Sequence, residues 1–208
     1  MNQAGAKRPV AERIGIYGGA FDPPHLAHLA LAQAAIAQFQ LDTLVILPTG
    51  HAWHKSRTLT QASHRAQMTT LTFANIAQAR VDQREILRSG PTYTIDTLLE
   101  LKAENPSAEL FLLMGEDQFA SFEQWHRHED ILKIATLLVA LRADSVPANA
   151  EKEPKNKGKI AFSTIDMPSS PISATQIRHA IAHQQAIDHL VKPRVAQYIA
   201  GNRLYSIT

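Results

Sequence analysis

His25 and His28 stand three residues apart, a short way after Gly18, Gly19, Pro23 and Pro24. On a helix that spacing puts both imidazoles on one face. The glycines let a backbone turn tightly and pass close to a ligand, and the prolines set the entry into a helix. A helix N-terminus offers free amides and a positive dipole end to an anion. Two ring donors beside it could hold phosphate oxygens and stabilise charge developing in phosphoryl or nucleotidyl transfer. Taken alone, such a pair is more often incidental. Two histidines at this spacing could also join a Zn²⁺ site, although no third ligand is evident nearby. The glycine spacing is not the Gly-x-Gly-x-x-Gly of dinucleotide-reducing enzymes.

Near the other end, Ser173, Thr175, Gln176 and Arg178 open a second helical stretch. Ser173 followed by Gln176 is a capping-box pattern and needs no further purpose. Thr175 and Arg178 share a face, however, so that a hydroxyl, backbone amides and a guanidinium could meet one polyphosphate. Between these ends lie Lys55 in a basic loop, Thr92 and Tyr93 after Pro91, Asp117 after an apolar run, and Trp125. Read locally these are a solvated loop, a helix start, a carboxylate able to bind ribose hydroxyls, and an aromatic of core or surface. His126, Arg127 and His128 read as a solvated polar turn, their charge offset by Glu129 and Asp130.

The elements that must position these groups alternate. Strand-like runs at 13–17, 43–47, 110–114, 136–141 and 159–163 interleave with helix-like runs at 26–39, 61–76 and 92–103. The expected fold is an α/β, Rossmann-like doubly wound parallel sheet with helices on both faces. A small helical C-terminal part, 173–208, would close the site, its last helix running over 193–200 with Gly201 just past the end. Residues 1–12 read as a tail and 143–159, polar with Pro147, Pro154 and Gly158, as a flexible surface loop within a single domain of 1–208.

The 208 residues are 45% hydrophobic and 19% charged with a formal charge of +2, which implies no polyanion and hence no nucleic-acid partner. With no cysteine there is no disulfide framework, thiolate metal site or cysteine nucleophile, which suits a cytoplasmic protein. The sequence shows no secretory signal and no run long enough to span a membrane. Self-association is left open.

The string GGAFDPPHLAH, residues 18–28, resembles the GGxFDPxHxGH signature of the nucleotidylyltransferase superfamily, specifically its nicotinate mononucleotide adenylyltransferase branch. ISATQIR, 172–178, resembles the same superfamily's ISxTxIR signature. Residues 85–98 resemble the branch's ExxRxxPSYTxxTL segment, and Gly115-Glu116-Asp117 with Trp125 its GxD and tryptophan pair. The likeness runs from 14 to 205, leaving out 143–159. It implies transfer of AMP from ATP to nicotinate mononucleotide, giving nicotinate adenine dinucleotide and pyrophosphate in NAD biosynthesis, with Mg²⁺ carried mainly by ATP. It implies that His25 and His28 contact the ATP phosphates, with Gly18, Gly19 and Phe21 in the same site, and that Ser173, Thr175 and Arg178 hold the β and γ phosphates. Lys55 would be a further cation at the phosphates, and together with Thr92, Tyr93, Asp117 and Trp125 it would bind the mononucleotide, Trp125 as platform for the pyridine ring. Ala27 stands where the family has glycine, and Ala52 and Trp53 replace its double proline. The rivals are phosphopantetheine adenylyltransferase, whose relatives are shorter and lack the PTYT and tryptophan segments, an enzyme that prefers nicotinamide mononucleotide, since one carboxylate-versus-amide contact could decide it, a regulator that has lost the chemistry, and a metal-dependent hydrolase.

Overall fold

The computed structural model describes residues 11–50, 59–141, 155–157, 160–168 and 170–206. Strand β1 (Arg13–Gly19) leads to helix α1 (Leu26–Phe39), β2 (Thr43–Pro48), α2 (Ala62–Phe73), β3 (Ala79–Val81), the one-turn α3 (Arg84–Leu87) and α4 (Thr94–Glu104). Then come β4 (Glu109–Gly115), α5 (Glu116–Ala120), a 3-10 turn (Phe122–Gln124), α6 (His128–Ile134), β5 (Ala135–Ala140), β6 (Lys155–Lys157), β7 (Ile160–Ile165), α7 (Ala174–Ala182) and α8 (Pro193–Gly201). The strands lie in the order β3-β2-β1-β4-β5-β7-β6, parallel except that β6 pairs antiparallel with β7. The expected doubly wound α/β sheet is therefore present. No helix of the described residues is long and apolar enough to cross a membrane.

Alternation along each strand builds two cores. Ile14, Ile16, Val45, Leu47, Leu112 and Met114 face one layer with Ile95, Leu98 and Phe122, while Tyr17, Leu44, Ile46 and Leu113 face the other with Leu31, Ala32 and Ala35 of α1. This period-two division is what a sheet covered on both sides requires. Gly15 leaves room for the side chains of Leu41, just before β2, and Leu44 within it: a Cβ there would lie 2.6 Å and 2.7 Å from their methyls. A third core joins α7 and α8 to Met68 of α2, docking the C-terminal part onto the sheet domain.

Several expected boundaries move. β1 runs on to Gly19, pairing Gly18 and Gly19 with Leu47 and Pro48, so the two glycines end a strand rather than make the turn. The turn comes at Phe21, whose φ of 46° is left-handed. Helix α4 begins at Thr94, later than expected, with Tyr93 as its N-cap, and α8 takes in Gly201. The expected loop 143–159 lies outside the described residues except for 155–157, which form β6. β3, α3, α5, α6 and β6 span only three to seven residues each, too few for a period to be read from sequence.

The sheet order reverses between β1 and β4: the chain winds outward through β2 and β3, then returns to the other side of β1. Open α/β sheets bind ligands beyond the strand ends at such a point. Gly19 and Gly115 end these two strands.

Candidate active site

His25 is the N-cap of α1 and His28 its third helical residue. Their rings stack with centroids 3.7 Å apart, and the His25 backbone N–H donates to His28 Nδ1 at 3.2 Å. In a neutral ring this leaves the His28 proton on Nε2, as a donor. His25 is 6% exposed, and burial lowers its pKa to about 4. It therefore acts near neutral pH as an uncharged hydrogen-bonding group, not a cation. The α1 N-terminus is less open than expected, since the Leu26 N–H already donates to the Leu190 carbonyl at 3.0 Å.

Phe21 packs against the histidine pair through its ring. Its side chain is 2% exposed and packs edge-on against His28 at 5.1 Å and Tyr17 at 5.5 Å. That ring supports an imidazole, and only the backbone at this position could touch a nucleotide. Gly18 is exposed, and a Cβ there would meet nothing within 4 Å.

At the start of α7 the expected cap is present: Ser173 Oγ accepts from the Gln176 N–H at 3.2 Å. Arg178 donates through Nη2 to Thr175 Oγ1 at 3.1 Å and through Nη1 to the Asp22 carbonyl at 2.7 Å. The second hydrogen bond joins the two signatures across 156 residues. Local spacing predicted the Thr175–Arg178 pair; the link to Asp22 had no local signal.

The middle segments gather on the other layer. Trp125 is half-buried against the core, 5.5 Å from the Phe122 ring. Tyr93 lies against His126 with centroids 4.2 Å apart, so the turn read as merely solvated contributes an aromatic contact beside Trp125. Thr92 Oγ1 donates over 3.5 Å to the Glu85 carbonyl, a long bond. Asp117 is exposed in the first turn of α5, directly beyond β4. Lys55 lies outside the described residues.

Glu85 brackets this region and was given no role by the sequence reading. It is 7% exposed, its Oε1 accepts from Thr97 Oγ1 at 3.0 Å, and Thr97 accepts in turn from Arg88 at 3.2 Å. A Cβ on Gly50 would collide with the Glu85 carbonyl, so the end of β2 packs on this same turn. Burial pushes the Glu85 pKa from 4.5 up to about 7, against the lowering effect of Thr97 and Arg88. A pKa raised on folding stabilises the protein fully below about pH 4.5, and that contribution is lost as the pH climbs through 7. Glu85→Gln is therefore expected to gain on the wild type by about 3 kcal/mol between pH 4.5 and pH 8. Urea midpoints at the two pH values measure this, and a gap that stays constant with pH would count against it.

Arg65 and Asp22 are further contributors that the sequence reading passed over. Arg65, 1% exposed, donates to the carbonyls of Ala20, Gly50 and Thr60. Its signal was present: it shares the α2 face of Met68, Thr69 and Thr72, where a charge is out of place. Asp22, also 1% exposed, accepts from the Thr60 N–H at 3.2 Å and from the Tyr205 hydroxyl at 2.6 Å. Among the described residues no three His, Cys, Asp or Glu side chains converge as a metal cage would need.

Paired imidazoles, with a guanidinium hydrogen-bonded to the loop that precedes them, are groups able to hold a polyphosphate, and the aromatic side chains of the other layer are groups on which a ring could stack. A family model described as cytidylyltransferase-like matches residues 16–180. A protein of Albidiferax ferrireducens named "Probable nicotinate-nucleotide adenylyltransferase" is 48% identical over 194 residues, covering 93% of this chain and 98% of its own. Two solved structures of Plasmodium falciparum nicotinic acid mononucleotide adenylyltransferase, one complexed with APC and one with NaAD, share the fold at TM-scores of 0.72 and 0.70. Each is 20% identical and covers 93% of this chain and 97% of its own.

Proposed function

The chain belongs to the cytidylyltransferase-like family and, within it, to the nicotinate-nucleotide adenylyltransferases, and from that premise we propose that it transfers AMP from ATP to nicotinate mononucleotide, releasing pyrophosphate. The observation that carries the reading is the Arg178 hydrogen bond to the Asp22 carbonyl, which draws the α7 cation onto the loop that precedes the histidine pair.

In the proposed step an oxygen of the mononucleotide phosphate attacks the α phosphorus of ATP in line. A phosphorus–oxygen bond forms as the bond from the α phosphorus to the α,β-bridging oxygen breaks, and the electron pair leaves on pyrophosphate. A phosphate monoester is already an adequate nucleophile, so the protein has mainly to align it and offset the charge of the leaving group. His25 and His28 donate to phosphate oxygens, while Arg178 and Thr175 face the β and γ phosphates, with Ser173 capping their helix. Lys55 adds a further cation. Thr92, Tyr93 and Asp117 orient the mononucleotide and Trp125 stacks on its pyridine ring.

Nucleotidyltransferases of this family generally use a divalent metal. We take it to be Mg²⁺ entering on the triphosphate, which suits an ion that keeps several waters and needs few protein ligands. Asp22, the carboxylate of the signature loop, is already engaged by Tyr205 and Thr60.

The test is pyrophosphate release from ATP and Mg²⁺ with nicotinate mononucleotide, nicotinamide mononucleotide or phosphopantetheine as acceptor. Release with the first alone is expected, and silence with all three would sink the reading. Trp125→Ala is expected to raise KM for the mononucleotide by about tenfold, the scale of one lost aromatic stack, while KM for ATP stays put. An unchanged mononucleotide KM would remove Trp125 from that role.

A further inference from the structure

The last described turn of the chain reaches back into the first signature. Tyr205 Oη donates to Asp22 Oδ1 at 2.6 Å across 183 residues. Burying a carboxylate is costly unless donors replace its water, and Asp22 is 1% exposed. Each of its two oxygens has a donor, Oδ1 the Tyr205 hydroxyl and Oδ2 the Thr60 N–H at 3.2 Å. The Asp22 carbonyl accepts from Arg178 Nη1 at 2.7 Å. The residue that Tyr205 anchors by its side chain thus anchors Arg178 by its backbone.

The backbone around Tyr205 is shaped for this contact. Arg203 and Tyr205 have φ of 52° and 65°, the left-handed region that non-glycine residues rarely occupy, and they flank Leu204, whose N–H donates to Ile199 at 3.0 Å. Such backbone persists where surrounding contacts over-determine it. Burial and the Asp22 carboxylate both push the Tyr205 pKa well up, so its hydroxyl stays a donor.

We propose that Tyr205 is a positioning residue for ATP, fixing Asp22 so that the Asp22 peptide holds Arg178 toward the phosphates. The proposal rests on the adenylyl-transfer reading above. A second tyrosine provides the comparison. Tyr198 Oη lies 2.8 Å from His64 Nδ1 and ties α8 to α2. If the C-terminal segment served only to hold the fold together, loss of either hydroxyl would have the same consequence.

The experiment compares Tyr205→Phe with Tyr198→Phe by steady-state kinetics in both substrates, by calorimetric titration with ATP, and by thermal midpoint. For Tyr205→Phe, KM and Kd for ATP are expected to rise about tenfold, as for a lost hydrogen bond to a charged group, with the mononucleotide KM within about twofold. Tyr198→Phe is expected to lower the thermal midpoint and leave ATP affinity unchanged. The proposal is overturned if Tyr205→Phe binds ATP like the wild type, or if both variants lose ATP affinity alike. Should the wild type turn over no mononucleotide at all, the functional reading fails separately, and calorimetry with ATP alone still decides the role of Tyr205.

Discussion

With alanine in place of His28, turnover is expected to fall by about 10²- to 10³-fold, the usual cost of removing one preorganised donor from a developing oxyanion. The donor is well prepared. Its Nδ1 is taken up by the His25 N–H, its ring is stacked on His25 at 3.7 Å, and Phe21 packs edge-on against it at 5.1 Å. Interactions used mainly in the transition state lower kcat and kcat/KM together, so KM for ATP should move little. The fold should survive, because the substitution removes one helix-terminal hydrogen bond worth about 1 kcal/mol. Kinetics beside a thermal melt check both parts. Wild-type turnover in a folded His28→Ala protein would end the catalytic role assigned to this residue.

The second large effect is on stability. Arg65 spreads its guanidinium over three carbonyls, Thr60 at 2.9 Å, Ala20 at 2.9 Å and Gly50 at 3.3 Å, from a position 1% exposed. It joins the loop after β1 to both described flanks of the segment that carries Lys55. Arg65→Met keeps much of the volume but strips all three acceptors of this donor. An acceptor left unsatisfied costs about 1 to 3 kcal/mol when buried and less where water reaches it, and these three, on partly buried residues, share one site, so about 3 kcal/mol in total is expected. For a chain of this length that is a drop of about 10 °C in Tm. Arg65→Lys should lie between, keeping the charge and losing the planar fork. Urea denaturation measures the difference, and a Met variant within about 1 kcal/mol of the wild type would show that the three contacts contribute little.

The sequence was most informative where the relevant physics is local. Alternating β and helical periods announced the doubly wound sheet, because side-chain direction repeats every two or 3.6 residues whatever lies elsewhere in the chain. The same locality put His25 beside His28, Thr175 beside Arg178, and Ser173 on the Gln176 amide. Three-residue strands and one-turn helices such as β3 and α3 went unread, being too short to show a period.

Other matters were decided only when distant segments met. Phe21 sits in a binding signature, yet its ring belongs to the core; Leu190 covers an amide that the helix N-terminus would otherwise offer to a ligand. His126 looked like part of a solvated turn until Tyr93 came to lie against it. Arg65, Glu85 and Asp22 are polar groups whose burial is offset by carbonyls, hydroxyls or an amide that arrive from 5 to 183 residues away. By itself the sequence determined the sheet, the two signatures and the paired groups within each. Tertiary structure decided how those groups are partnered and which distant groups hold them in place, because satisfying a buried polar atom depends on proximity in space and carries no period along the chain.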